Sequence, residues 1–405
     1  MALLHATGFE VNNSLGGYEA TARANTPVHQ ATTVWSGKYS MQGDTTGGAA
    51  TSNYTYTFAA GDSSQILHYQ FRFRVDQFPS ASCIIGLIRN AANANMGIFR
   101  MTTTGTLFLQ TAGGATIGSA SQILNLNQWY LCEVKHDATT SPGACEFKLS
   151  DEAGNLLFTT SGANSVQGSW NKLILGASIT STANFYFDDL IAWDDTAGGV
   201  FTTWLGNVGM VHSRPQSQGD ANAWLDTAAA AGTVNNRQLV YETNPDDATT
   251  MVQSVTLNNE DMYHIQDSGL PENATVHAVL VGGRHRDATA DATTAFKYQW
   301  RIAPAGTTTQ SAAIIPNTTN WRTHLGANST NVLPYPIIAY TNPSGGAITV
   351  AQINASQIGM ILSAAGVNRA QVTVVWMIAI YALPAFSRTA ATTRQLSTSN
   401  TGPVG

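Results

Sequence analysis

The chain has 405 residues, too many for one ordinary hydrophobic core and suited to two domains. Charged side chains make up 11% of it and the formal net charge is -6, so it lacks the clustered Lys and Arg that a general nucleic-acid binder needs to neutralise phosphates. Its three cysteines, Cys83, Cys132 and Cys145, are odd in number and show no C-x-x-C spacing, which indicates neither a disulfide framework nor a zinc site; they read as small core residues or free thiols. A surface so poor in charge and rich in hydroxyls and amides suits a protein packed in an assembly.

Residues 1–6 carry neither the basic region nor the apolar run of a secretory leader, so the chain is not expected to be addressed for export by its own start. Trp35-Ser36-Gly37-Lys38-Tyr39-Ser40-Met41 reads as a short strand entered through a glycine turn. Tyr54, Tyr56 and Phe58 alternate with polar residues. So do Leu67, Tyr69, Phe71, Phe73 and Val75, with His68, Gln70, Arg72 and Arg74 on the other face, directed at solvent or a neighbouring chain. Glycine and asparagine punctuation then separates short apolar runs at about ten-residue intervals, the pattern of a sandwich or jelly roll. The half closes on Phe185, Tyr186, Phe187, Asp188, Asp189, Leu190, Ile191, Ala192, Trp193, Asp194 and Asp195, a strand that runs out into Thr196-Ala197-Gly198-Gly199. On strict alternation Asp188 and Asp189 point to opposite faces of it.

Gly8-Phe9-Glu10, the Gly37 to Met41 strand, the Asn127-Gln128-Trp129-Tyr130 step into Glu133-Val134-Lys135, and the closing strand together resemble a laminin-G or concanavalin A-like jelly roll over residues 1–196. The second half opens on Trp204-Leu205-Gly206-Asn207-Val208-Gly209-Met210-Val211 and continues as further short strands. This succession resembles bacteriophage virion proteins in which a concanavalin-like domain is followed by a β-rich module. The resemblance implies an all-β fold with two β-sandwich or jelly-roll domains in tandem: residues 1–196, an assembly domain over 197–386, and an extended tail over 387–405.

Within the second half, residues 350–360 break strict alternation at Ile353 and Ile358, which suggests either one helical turn or a bulge at Gly359. Arg284-His285-Arg286 reads as a solvated turn. Residues 372–381 are almost continuously apolar, too short for a membrane helix, and belong in the middle of a sheet or under a neighbouring subunit. The tail from Arg388 has little to bury and would need a partner to order it.

Three chemistries bear on these residues. Glycoside hydrolysis needs two carboxylates on one concave face, and Glu133, Glu146, Asp151 and Glu152 do not form the paired-carboxylate strand of such enzymes. Glu133 is expected to pair with Lys135 or with solvent. Nucleophilic triads and phosphate loops find no matching motif. Laminin-G relatives hold calcium with loop carboxylates, which makes Asp194 and Asp195 the metal candidates, although acidic residues there also satisfy turn amides. Tyr54, Tyr56, Trp204 and Trp224 are candidates for stacking on sugars.

The expectation is therefore a non-enzymatic structural protein of a bacteriophage particle, displayed on the virion after synthesis in the host cytoplasm. It has no catalytic or cofactor residues. Its partners are copies of itself, for instance in a trimer, and other virion proteins, with no nucleic acid and no membrane insertion. The alternative is a lectin-like adhesion protein for host-surface glycans.

Overall fold

The computed structural model describes residues 3–10, 22–24, 28–44, 52–57, 65–164, 168–178, 183–194, 201, 203–226, 235–242, 249–302, 306–316, 319–323 and 335–382. Phe58, Asp195 and the tail over 387–405 lie outside them. Apart from short helical turns the described elements are antiparallel strands, which gather into four sheets. The all-β, sandwich reading holds.

Sheets I and II belong to the first half. Sheet I has the order Leu156–Asn164, Gly143–Ser150, Tyr130–Asp137, Ile66–Val75, Asn184–Asp194, Ser40–Asp44 and Val28–Gln30, and Leu3–Thr7 also pairs with Asn184–Asp194. Sheet II runs Thr116–Ile117, Leu107–Gln110, Asn95–Met101, Cys83–Arg89, Lys172–Ser178, Ser52–Thr57 and Ala22–Ala24. Alternation along Ile66–Val75 sends Leu67, Tyr69, Phe71, Phe73 and Val75 into the space between the two sheets. There they pack with Phe99, Phe147, Phe185 and Phe187. Cys83, Cys132 and Cys145 are free and buried in this core.

Sheets III and IV form the second sandwich. Ala370–Ala382 is flanked by Val208–Ser213 and Thr275–Asp287, so the apolar run lies mid-sheet as its composition requires. Sheet IV has the order Pro215–Asn222, Glu260–Ile265, Ser356–Ala364, Ala295–Ile302 and Thr308–Gln310. The expected helical turn is Val350–Asn354, opened by a capping box in which Thr349 and Gln352 exchange side-chain and backbone bonds. Gly359 is not a bulge: it sits in register with both neighbours, and a Cβ there would lie 1.9 Å from the Asp261 carbonyl oxygen.

A third apolar cluster joins the sandwiches. Leu3, Ile191 and Trp193 on the outer face of sheet I pack with Phe201, Val208 and Met210, and with Leu280, Trp376 and Ile378 on the outer face of sheet III. Strand register explains it: after the Asp188/Ile191 irregularity, Leu190 and Ala192 face the first core while Ile191 and Trp193 face the second sandwich. The Tyr335 hydroxyl donates to the Ala6 carbonyl at 2.6 Å, and the Leu3 amide donates to the Tyr340 hydroxyl at 2.9 Å.

Candidate functional site: a buried charge cluster at the junction of the sandwiches

The densest set of ionisable groups lies where the chain crosses from one sandwich to the other. Arg72, on the outer face of sheet I, sits opposite Asp188 on one neighbouring strand and Leu131 on the other. It is 1% exposed. Its Nη2 donates to Asn207 Oδ1 and, at 3.5 Å, to the Val208 carbonyl, and the guanidinium lies 4.3 Å above the Trp35 ring. The expectation that Arg72 faces solvent or another chain is corrected: residues 206–208 cover it.

Asp188 and Asp189 do not point to opposite faces. Asp189 takes φ +46° within a β-bulge, which turns both carboxylates into one site. Asp188 Oδ2 accepts from the amides of Trp35 and Ser36 at 2.9 and 3.3 Å, and its Oδ1 accepts from the Asp189 amide at 2.9 Å. Asp189 Oδ1 accepts from Ser36 Oγ at 2.7 Å and its Oδ2 from the Met210 amide at 3.3 Å. All four carboxylate oxygens are thus engaged by protein donors.

Glu133 is buried on the adjacent strand, where its Oε1 accepts from the Gly206 amide at 2.9 Å. Lys135 bonds Glu146 at 3.4 Å, so the expected Glu133–Lys135 pairing is replaced by a bond to the linker. Glu10 adds a further tie: its carboxylate accepts from the amides of Lys38 and Tyr39, and its carbonyl accepts from Arg214 Nη2 at 2.9 Å. Gly37 is required beside it, because φ is +65° and a Cβ would lie 2.0 Å from Glu10 Oε1.

Burial governs the charge states here. It pushes Asp189 up to about 6, and burial together with the Asp189 charge raises Asp188 well above the usual carboxylate range. Burial also raises Glu133 and pulls Arg72 down, the latter against the attraction of Asp189, Glu133 and Asp188. With one guanidinium among three carboxylates and all four Asp oxygens already bonded, the cluster is built to hold two sandwiches together.

The other candidates that the sequence singles out are dispersed. Asp194 is buried at the end of the closing strand, and Asp195 falls outside the described residues. Among the described residues no group of three or more His, Cys, Asp or Glu could hold a metal ion. Tyr54, Tyr56 and Trp224 are core residues, and Trp204 lies 4.2 Å beneath Lys148 Nζ against His68. Arg284, His285 and Arg286 are not a solvated turn: they lie inside the Thr275–Asp287 strand, with His285 fully buried against Phe296 and Tyr298.

One arrangement had no sequence signal. Cys145 Sγ meets His136 Nδ1 at 2.8 Å, and Asn164 Nδ2 lies 3.4 Å from the sulfur. Burial pushes the thiol up to about 12 and the imidazole down to about 3, so the pair is neutral and carries no thiolate nucleophile. The bulge at Asp188 and Asp189 was more accessible, since two adjacent acids cannot both be accommodated in a regular strand buried on both faces.

No protein-family model and no curated protein matches the chain. Solved structures do. A cellulose-induced protein, Cip1, is 15% identical over 45% of this chain and 88% of its own, with a TM-score of 0.34. An alginate lyase from Alteromonas sp. 272 is 8% identical over 40% of this chain and 89% of its own, with a TM-score of 0.29. Lectin I-B4 from Griffonia simplicifolia is 8% identical over 39% and 88%, with a TM-score of 0.28. The expectation of a non-enzymatic chain is corrected at this point and is not retained: the similar solved structures include alginate lyases.

Proposed function

We propose that this chain is a structural component displayed on the surface of a bacteriophage particle, where it assembles as an oligomer in contact with other virion proteins. The observation that carries the reading is the third core. Two sandwiches share buried apolar surface through Trp193 and Trp376 and are pinned by the Arg72–Asp189 cluster, which makes a stiff body fit to transmit position. The low share of charged residues supports packing against neighbours, and the order of motifs along the chain supplies the phage context. Among the described residues no helix is long and apolar enough to cross a membrane.

The test is the mass of the intact chain by light scattering at micromolar concentration, with mass spectrometry of purified phage particles. An oligomer, and its peptides among the particle proteins, is the expected result. A monomer that co-purifies with no particle overturns the reading.

A further inference from the structure

A second polar cluster lies far from the junction, on the outer face of sheet IV. Arg301 stands directly opposite Gln357 on the neighbouring strand, and Gln299 lies two residues along on the same face, opposite Gly359. These side chains are almost sealed: Gln357 is 0%, Gln299 1% and Arg301 7% exposed. The cover is the Pro215–Asn222 strand, whose pairing with Glu260–Ile265 slips between Gln218 and Asn222. The slipped residues curl over the face. A Cβ on Gly219 would lie 2.5 Å from Gln357 Oε1, the Asp220 amide donates to that same oxygen at 3.3 Å, and Arg301 is ion-paired to Asp220 and, at 3.2 Å, to Glu260.

Beneath this cover three polar atoms have no hydrogen-bond partner among the described residues: Gln299 Oε1, Gln357 Nε2 and Arg301 Nε. A buried polar atom left unpaired costs about 1–3 kcal/mol, so three on one covered face call for a partner group. Its chemistry is constrained. An anion would meet the two donors but would confront the Gln299 oxygen with Asp220 and Glu260 close by. A cation would meet that oxygen but face Arg301. A hydroxyl donates one hydrogen and accepts two, which matches one acceptor and two donors.

The geometry points to a binding site for a neutral hydroxyl group between Gln299, Gln357 and Arg301, closed by the 219–221 curl. The hydroxyl belongs either to a buried water or to a saccharide admitted when the curl lifts. This site is independent of the particle assignment above.

Two measurements on the intact chain test it. A crystal structure resolving waters is expected to place an oxygen within hydrogen-bond distance of Gln299 Oε1 and Gln357 Nε2. A direct amide-to-amide bond between the two glutamines, with no oxygen between them, overturns the proposal. The source is then read on an array of neutral oligosaccharides. Binding that falls about tenfold in Gln357→Leu assigns the hydroxyl to a saccharide, since one lost hydrogen bond is worth about that factor. A blank array with the oxygen present in the map assigns it to water. The first measurement uses the unaltered chain, so poor folding of the variant leaves it intact.

Discussion

Asp189, in the bulge of the first sandwich's closing strand, accepts a hydrogen bond at 3.3 Å from the amide of Met210, in the first strand of the second sandwich. This bond crosses the junction and sits beside a buried guanidinium, so its loss leaves Arg72 under-compensated. Asp189→Ala is expected to lower stability by about 2–5 kcal/mol. A urea midpoint unchanged within error would show that the cluster is not a clamp.

The apolar half of the junction makes a separate prediction. Trp376 is fully buried against His212 and in the shared core, so Trp376→Ala should cost about 3–5 kcal/mol. Because the core belongs to both sandwiches, the intact chain is expected to unfold in one transition and the variant in two, followed by calorimetry. A single unaltered transition would mean that the sandwiches do not stabilise each other.

Asp261 gives a pH dependence. Its Oδ2 accepts from Tyr263 and Asn236, both at 2.7 Å, and burial pushes it up to about 7 from an ordinary 3.8. The folded state therefore holds the proton more tightly. Its stabilising contribution is complete below about pH 4 and is lost as pH rises through 7. Buried His5 and His136, both pushed down to about 3, act in the opposite sense, losing stability as pH falls below the imidazole range. The difference between the wild type and Asp261→Asn isolates the carboxyl: the variant should gain on the wild type between pH 4 and 8, by a few kcal/mol at most. A pH-independent difference would contradict the assignment.

Much of this architecture could be read from alternation alone. Leu67 to Val75 fall where their period of two puts them, and the continuous apolar run of residues 372–381 leaves only a mid-sheet place for it. The junction escaped because it depends on exceptions to that period. The bulge at Asp189 reverses which residues face outward, and an outer face bearing Arg72 and Glu133 looks solvated until residues 206–208 are seen to cover it. Arg284 to Arg286 differ from their sequence pattern for the same reason: charge signals exposure only on an open strand face, and this strand is largely buried on both sides.

The cysteines should be chemically silent in the native chain. Burial pushes Cys83 and Cys145 up to about 12 and Cys132 well above its usual range. A thiol reagent at pH 8 is expected to label none of them in the folded protein and all three in urea. Rapid labelling of any one without denaturant would contradict its burial.

Gly37→Ala is a sharper local probe. The added methyl must displace the Glu10 carboxylate and occupy the left-handed region, so a loss of about 1–3 kcal/mol is expected. Glu10→Gln should cost less, because the amide oxygen still accepts from Lys38 and Tyr39. The reverse order in thermal unfolding would refute this account of the turn.

The strand Leu3–Thr7 pairs with Leu190, Ile191, Ala192 and Trp193, and its ends reach Tyr335 and Tyr340. Its place in the sheet can be filled only late in synthesis, since its ladder partner and its tyrosine contacts are translated long after it. Docking of this strand is thereby tied to synthesis of the chain as far as Tyr340. A nascent chain stalled before Tyr335 should leave residues 3–7 open to proteolysis, and a chain extended past Tyr340 should protect them.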